Sequence, residues 1–224
     1  MVTSLLEKAK DMKILKVIGE GTVTSQPDQV ILSFNVKSKS MEYSTCINNL
    51  NTKTDNLRNN IVSADLSKTD LKTTSFNIDS EFRYNNNDDY IFDGYSASHQ
   101  LVIKLPMDKE LLNQVLHRIT EGHSEAEIEM DFTIRDQEAV NRKVLARAVQ
   151  NARQNAETLA TAAGVVLGEL QQIDYGGSEV RVRHLRSNIL CEQSFSDSLH
   201  FVDIETADVK SQDSVTLVYE VLQK

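Results

Sequence analysis

The sequence of 224 residues predicts an α+β fold, in which long amphipathic helices pack on a largely antiparallel sheet of hairpins. Segments in which apolar and polar residues alternate occur in neighbouring pairs, which is typical of antiparallel strands. Other segments repeat apolar residues at helical spacing. The chain also has only eight glycines and two prolines, where average usage gives roughly sixteen and eleven. This shortage favours long regular elements joined by few turns.

Two strands are expected near the N-terminus. In Ile14–Thr24, one parity carries Leu15, Val17 and Val23 together with Gly19 and Gly21, and alternation resumes from Val30 to Val36. The turn between them, residues 25–28, contains a proline and an aspartate, which favour turns. We expect these two strands to form a hairpin.

A helix and a second, longer hairpin follow. Apolar residues recur at helical spacing from about Ser40 to Ala64, with a Ser or Thr expected at the N-cap. Alternation returns in Thr69–Tyr84 and Tyr90–Leu105, and the polar residues 85–89 form the turn. The apolar side of this hairpin carries Phe76, Ile78, Phe82, Tyr84, Tyr95, Ala97, Leu101, Ile103 and Leu105.

Two further helices flank the clearest strand of the chain. Asp108 caps a helix that stops at Gly122, and Asp136 caps a longer helix that runs to about Ala163 and ends at Gly164. The strand between them alternates fully. Its apolar side carries Ala126, Ile128, Met130, Phe132 and Ile134, and its polar side Glu125, Glu127, Glu129 and Asp131.

The C-terminal part contains a strand at about Leu170–Val182, an exposed loop at about 184–199, and short apolar runs at Val202–Ile204 and Val215–Val221. The resulting order is β-β-α-β-β-α-β-α-β-β-β. No break in composition divides the chain. We therefore expect a single domain over residues 14–223, preceded by an N-terminal extension of residues 1–13.

Composition excludes several classes of function. The chain has 24 Lys and Arg against 33 Asp and Glu, a net charge of −9, which argues against nucleic-acid binding. No apolar run approaches the roughly 18 residues of a membrane helix. Residues 1–13 lack the apolar region of a secretory signal. We expect a cytoplasmic protein for the chain as given, or a periplasmic one if a leader has been removed.

The two cysteines, Cys46 and Cys191, are too few for a disulfide framework or a zinc site. We expect reduced or partly buried thiols, with one bridge between them as the alternative.

Gly19-Glu20-Gly21 is the only glycine motif that resembles a nucleotide loop. A dinucleotide site needs a strand, a glycine turn and then a helix N-terminus. Here position 24 is Thr, and a strand follows. A bulge, or the close approach of a neighbouring element, is the better explanation of these glycines.

The four acids Glu125, Glu127, Glu129 and Asp131 lie along one strand face, neighbours being roughly 7 Å apart. A regular strand lacks the carbonyl ligands and sharp turn of a calcium loop, so we interpret the row as a solvated sheet face. The same face is also suited to oppose a basic surface of another subunit.

None of the five histidines has metal-ligand spacing. His99 lies on the apolar side of its strand, and we expect it to be packed and hydrogen-bonded. The less favoured alternative is a general base that works with Tyr95 in a cleft. His117 and Glu121, four residues apart on a helix, are expected to be surface neighbours.

A basic cluster, Arg181, Arg183, His184 and Arg186, lies at the edge of the predicted loop. We interpret it as an ordinary solvated loop edge, with binding of an anion or an acidic partner as the alternative. No nucleophile motif such as GxSxG or SxxK occurs. The sequence therefore assigns no catalytic, cofactor-binding or metal-binding residue.

The long helix after Asp136 carries the most specific pattern. Ala146-Arg147-Ala148 is followed by Ala152, Ala156 and Leu159-Ala160, then by Gly164 and Leu167-Gly168. This pattern resembles the SIMPL-domain family. The family's other short motifs are matched, in order, by Gly19-Glu20-Gly21 with Pro27-Asp28, by Gly94-Tyr95 and by Val215-Thr216-Leu217-Val218-Tyr219. The resemblance covers about Ile14 to Val221.

The resemblance implies an α+β fold and assembly into large homo-oligomers. The family includes exported bacterial proteins linked to stress and an animal signalling adaptor that associates with a kinase. It carries no agreed enzymatic activity, so no site residues are transferred. We therefore predict a non-enzymatic, self-associating scaffold or envelope- and stress-associated factor without a cofactor. A protein-binding adaptor is the alternative, and an unrecognised enzyme is the third hypothesis.

Overall fold

The computed structural model describes residues 13–84, 88–122, 125–176, 185–189 and 205–223. These residues form eight strands and three helices, in the order β1 (Ile14–Ser25), β2 (Gln29–Ser40), α1 (Tyr43–Ser63), β3 (Lys72–Tyr84), β4 (Tyr90–Pro106), α2 (Lys109–Glu121), β5 (Ala126–Thr133), α3 (Gln137–Ala162), β6 (Val166–Asp174), β7 (Leu185–Ile189) and β8 (Val209–Leu222). Each pair of strands within this part of the chain is antiparallel. The α+β class is confirmed.

The chain forms two compact units. The terminal unit comprises residues 1–26, 134–183 and 208–224, and the central unit comprises residues 27–133 and 184–207. Each unit is assembled from segments that are distant in sequence. The composition of the chain does not change where one unit gives way to the other. The single domain expected over residues 14–223 stays a prediction.

The terminal unit is a three-stranded sheet in the order β1-β8-β6, with α3 packed on β1 and β8. The Asp136 side chain accepts a hydrogen bond from the Ala139 amide at 2.8 Å, which begins α3 as expected. Gly164 follows the helix with a φ of +70°, the left-handed conformation that favours glycine. The buried residues form two groups: Val17, Ala148, Ala152, Ala156, Val215, Leu217 and Tyr219, and Val23, Ile134, Val140, Val144 and Val209.

Gly19 and Gly21 face the alanine stripe of α3. A Cβ at Gly19 would overlap the Ala148 carbonyl oxygen, and one at Gly21 would overlap the Val144 carbonyl oxygen. The stripe of Ala148 and Ala152 is fully buried. The close approach that the sequence predicted for these glycines is confirmed, and it brings helix backbone directly onto strand backbone.

The central unit is a five-stranded sheet in the order β3-β4-β2-β5-β7. Helix α1 packs on β2 and β4, and α2 packs on α1. Asp108 Oδ1 accepts hydrogen bonds from the Glu110 and Leu111 amides at 2.9 and 3.1 Å, which confirms this N-cap. The fully buried large side chains of this unit are Phe34, Leu32, Leu50, Leu57, Ile61, Leu101, Ile103, Ile119, Met130, Val30 and Val36.

The expected hairpin of the first two strands is wrong. β1 pairs with β8, whereas β2 pairs with β4 and β5. The turn at residues 25–28 is where the chain leaves the terminal unit for the central unit. There the Asp28 amide donates to the Thr133 carbonyl oxygen at 3.1 Å, so the turn is fixed by the central unit and not by a β1–β2 ladder.

Three element boundaries also differ from the expectation. α1 begins after Glu42, which makes no side-chain cap, because Ser40 still pairs with Tyr95 as part of β2. β6 begins at Val166, directly after the turn at Gly164. Residues 185–189, expected in the exposed loop of 184–199, pair with β5 as strand β7. Only Leu185 and Ile189 are apolar in this segment, so it shows no clear alternation.

Other expectations lie outside the described residues. They concern the N-terminal extension up to residue 12, the rest of the 184–199 loop and the apolar run Val202–Ile204.

Candidate association surface on the β3–β4 hairpin

The end of the β3–β4 hairpin extends past the rest of its sheet. β2 follows β4 only as far as the pair Ser40–Tyr95. Beyond it, residues 81–84 pair with residues 90–94 alone, as a two-stranded ribbon. α1 begins at Tyr43, so among the described residues only the first turn of a helix lies at the base of this ribbon.

Six aromatic side chains form a continuous row along this ribbon, which we call the aromatic patch. It consists of Tyr43, Phe82, Tyr84, Tyr90, Phe92 and Tyr95. Phe82 and Tyr90 are stacked at 4.9 Å between ring centroids, with an interplanar angle of 17°. Phe92 contacts both Phe82 and Tyr95 edge-on, at 5.7 and 5.2 Å. These are the separations that aromatic pairs prefer.

The patch remains largely accessible to solvent. Tyr84 is 69% exposed, Tyr90 64% and Phe82 46%. The sequence placed Phe82 and Tyr84 on the apolar side of a strand, which is correct, but it did not show that this side is uncovered. One signal was present: the chain has seven Phe and six Tyr, and six of these rings fall between residues 76 and 95.

The opposite face of the ribbon carries a charged cluster. Lys39 Nζ lies 2.5 Å from Glu81 Oε2 and 2.7 Å from Asp93 Oδ2, and Arg83 Nε lies 2.8 Å from Asp93 Oδ1. The hydrogen bonds from Lys39 hold the pKa of both carboxyl groups below their usual values and raise the pKa of Lys39. One face of the ribbon is thus ionic and balanced, and the other is aromatic.

Gly94 shapes the base of the ribbon. Its φ is +103°, and a Cβ there would lie 2.6 Å from the Ser40 carbonyl oxygen. The register between β3 and β4 shifts at the same place, between Glu81 and Phe82. A bulge of this kind re-aims the strands beyond it.

β1 and β3 are edge strands of their sheets, and they differ in whether side chains bond their outer main chain. Three α3 side chains, each one turn apart, hydrogen-bond the main chain of β1. The bonds join Asn155 Nδ2 to the Ile18 oxygen at 3.1 Å, Asn151 Oδ1 to the Glu20 amide at 3.0 Å and Arg147 Nη1 to the Thr22 oxygen at 2.5 Å. In the part of the chain that the structure describes, no side chain of another element bonds the main chain of β3 in this way. Among the described residues, β3 is therefore an edge strand whose outer main chain has no strand and no side chain of another element bonded to it.

Comparison with protein-family models identifies the family of this chain. The family model SIMPL, described as a protein of unknown function (DUF541), matches residues 15–219. The chain belongs to the SIMPL family. It is similar to the "26 kDa periplasmic immunogenic protein" of Brucella melitensis biotype 1, at 30% identity over 166 residues, and to the protein of that name in Brucella abortus (strain S19), at 29%. Each match covers 71% of this chain and 65% of the relative, so the chain spans just under two thirds of the length of these relatives.

His99 in this SIMPL chain is packed and hydrogen-bonded, as expected. It is 7% exposed, Thr54 Oγ1 lies 3.2 Å from Nδ1, and Thr73 Oγ1 lies 2.8 Å from Nε2. Burial, followed by the charge of Arg58, lowers the pKa of the imidazole. Tyr95 lies four residues away, roughly 13 Å along the strand, so the structure does not bring the two candidate residues together.

The row of acids from Glu125 to Asp131 is polar surface, and lysines of the same unit pair with two of its members. Both carboxylate oxygens of Glu127 accept hydrogen bonds from Lys37 Nζ, at 2.7 and 2.8 Å, and Glu125 lies 2.6 Å from Lys53 Nζ. The bond from Lys37 lowers the pKa of Glu127. Association of this face with a basic surface of another subunit stays a prediction.

The other candidates have separate outcomes. His117 Nε2 lies 3.3 Å from Glu121 Oε1 on the surface of α2, as expected. Cys46 is a buried free thiol that donates to the Ser38 and Tyr95 carbonyl oxygens at 3.4 and 3.3 Å. Cys191 and the basic cluster at 181–184 lie outside the described residues, and Arg186 is placed in β7.

Neither a metal site nor a membrane-spanning helix is found among the described residues. Among them, no group of three or more His, Cys, Asp or Glu side chains is arranged to hold a metal ion. No helix formed by those same residues combines the length and the hydropathy of a membrane span.

Proposed function

We propose that this SIMPL chain is a non-enzymatic, self-associating protein that acts as a scaffold or as an envelope- and stress-associated factor. The exposed aromatic patch of the β3–β4 hairpin carries the proposal. Exposed contiguous apolar surface of this kind is typical of protein interaction sites, and Tyr and Phe are enriched at the centres of interfaces.

The energy available at the patch supports association. Burying a whole Phe or Tyr side chain removes roughly 150–250 Å² from water. Phe82 is 46% exposed and Tyr84 69%, so at about 25 cal/mol per Å² each ring contributes on the order of 2–4 kcal/mol when covered. Several such rings on each copy contribute a large part of the free energy of a micromolar association, which needs about 8 kcal/mol beyond the cost of lost translational and rotational freedom.

The envelope part of the proposal rests on the relatives. The two Brucella proteins are named as periplasmic, and we propose the same location for this chain. The non-enzymatic part is supported by His99, the buried histidine, whose two ring nitrogens face threonine hydroxyls.

A protein-binding adaptor is the second candidate, because the same patch is suited to a different protein as well as to another copy. Affinity purification from the native organism separates the two functions. A stoichiometric second protein that is lost on substitution of the patch favours the adaptor. Copies of this chain alone favour the scaffold.

Sedimentation velocity of the purified chain tests the patch itself. Tyr84→Ser with Tyr90→Ser removes its two most exposed rings, and we expect the fraction of associated species to fall. Ile18→Ser is the matched control, since Ile18 is 60% exposed on a strand of the terminal unit. Equal association of all three proteins would refute the role of the patch.

A further inference from the structure

We propose that two copies of the chain associate by antiparallel pairing of their β3 edges, which joins two central-unit sheets across a two-fold axis at Ile78. The inference rests on the proposed self-association and specifies its geometry. Antiparallel strand addition satisfies the main-chain groups that an edge strand leaves unpaired.

The regular part of β3 is centred on Ile78. The register between β3 and β4 shifts between Thr73 and Ser75 and again between Glu81 and Phe82. Ser75–Glu81 is therefore an uninterrupted seven-residue segment, without proline or lysine. A two-fold axis at its central residue pairs the whole segment with its copy. By contrast, the β1 edge is blocked by Arg147, Asn151 and Asn155.

The charges of β3 favour the same register. With Ile78 on the axis, Asn77 lies opposite Asp79 of the second copy, and Ser75 lies opposite Glu81. An axis at Asp79 or at Glu81 places a carboxylate opposite its own copy. An axis at Ser80 places Asp79 opposite Glu81. Like charges directly opposite each other destabilise a strand pair, so these alternatives are disfavoured.

The apolar side of β3 benefits from this register too. Phe76, Ile78 and Phe82 lie on the side of the sheet that faces α1. With the axis at Ile78, Phe82 of one copy is the diagonal neighbour of Phe76 of the other, a position within reach of aromatic side chains. The two rings are 46% and 44% exposed in the single chain. Each contact occurs twice by symmetry, and Phe82 of the aromatic patch is covered in each copy.

Charge substitutions at Asn77 test the register. Asn77 and Asp79 are both exposed, so these variants leave the core intact. Asn77→Asp creates two like-charged pairs across the axis, and Asn77→Lys creates two opposite-charged pairs. We expect the dissociation constant of the dimer, measured by sedimentation equilibrium, to rise about three- to tenfold for the first and to fall by a similar factor for the second. About 1 M salt should reduce both effects.

The double variant Asn77→Asp with Asp79→Lys also places opposite charges across the axis and should lower the constant below the wild-type value, as Asn77→Lys does. Unfolding midpoints of all variants show that the single chain remains folded. If the wild type associates but both single variants leave the constant unchanged or shift it in the same direction, the β3 pairing is wrong while self-association stands. If the wild type is a monomer throughout, the proposed function fails first.

Discussion

The close packing of β1 on α3 predicts that the substitution Gly21→Ala lowers the free energy of unfolding. The added Cβ would overlap the Val144 carbonyl oxygen and lie 2.7 Å from the Ala148 amide nitrogen. These are backbone atoms of a helix, so no side chain can rotate away and α3 itself must move. Overpacking of a close-packed core costs about 1–3 kcal/mol, and we expect the upper end, about 3 kcal/mol. That is a large part of the 5–15 kcal/mol typical of a folded protein.

Urea unfolding followed by circular dichroism measures this loss. Gly176→Ala is the matched control, because nothing lies within 4 Å of the Cβ it would add, and we expect a change within about 0.5 kcal/mol. Gly19→Ala should behave like Gly21→Ala, since it meets Ala148 and Ala152 in the same way. Equal midpoints for the Gly21 variant, the Gly176 variant and the wild type would refute the close contact of helix and strand.

Three further predictions concern separate features. Burial, and next the Arg58 charge, lower the pKa of His99, so the native state binds fewer protons than the unfolded chain and wild-type stability should fall as the pH drops below about 6.5. His99→Gln should remove this part of the pH dependence in urea midpoints, and an unaltered pH profile would contradict the assignment. Asp136→Ala removes the N-cap of α3 and should lower stability by about 1 kcal/mol; no shift in the midpoint would count against that cap. Asn151→Ala with Asn155→Ala uncovers the β1 edge and should raise the mean mass in light scattering, whereas Gln154→Ala, on the same helix, should not.

Local signals predicted most elements of the fold correctly. Full alternation in Ala126–Thr133 and the carboxylates at Asp108 and Asp136 placed one strand and two helix starts, because each depends on a few neighbouring residues. The two glycines in β1 predicted a bulge or a close approach, and the structure shows the close approach, against the alanine stripe of α3. That prediction was sound because only residues without bulky side chains allow backbones to meet.

Pairing and exposure could not be predicted in the same way. β1 and β2 are separated by one short turn, yet they belong to different units. No feature of residues 25–28 indicates that β1 pairs with a strand as distant in sequence as β8. The alternation that placed Phe82 on an apolar face is the same for covered and uncovered faces. Its exposure depends on where α1 begins, and that start was expected at a Ser or Thr cap but follows Glu42.

The solution mass of the wild-type chain tests the central claim most directly. Light scattering coupled to size exclusion, over a range of micromolar concentrations, should give a mass above the 25.2 kDa of the single chain that rises with concentration or stays at an integral multiple. The Tyr84→Ser, Tyr90→Ser protein should give a lower mass than the wild type at the same concentration, because Phe82 loses Tyr90, on which it stacks. A wild-type mass of 25.2 kDa throughout the same range would contradict self-association through the aromatic patch.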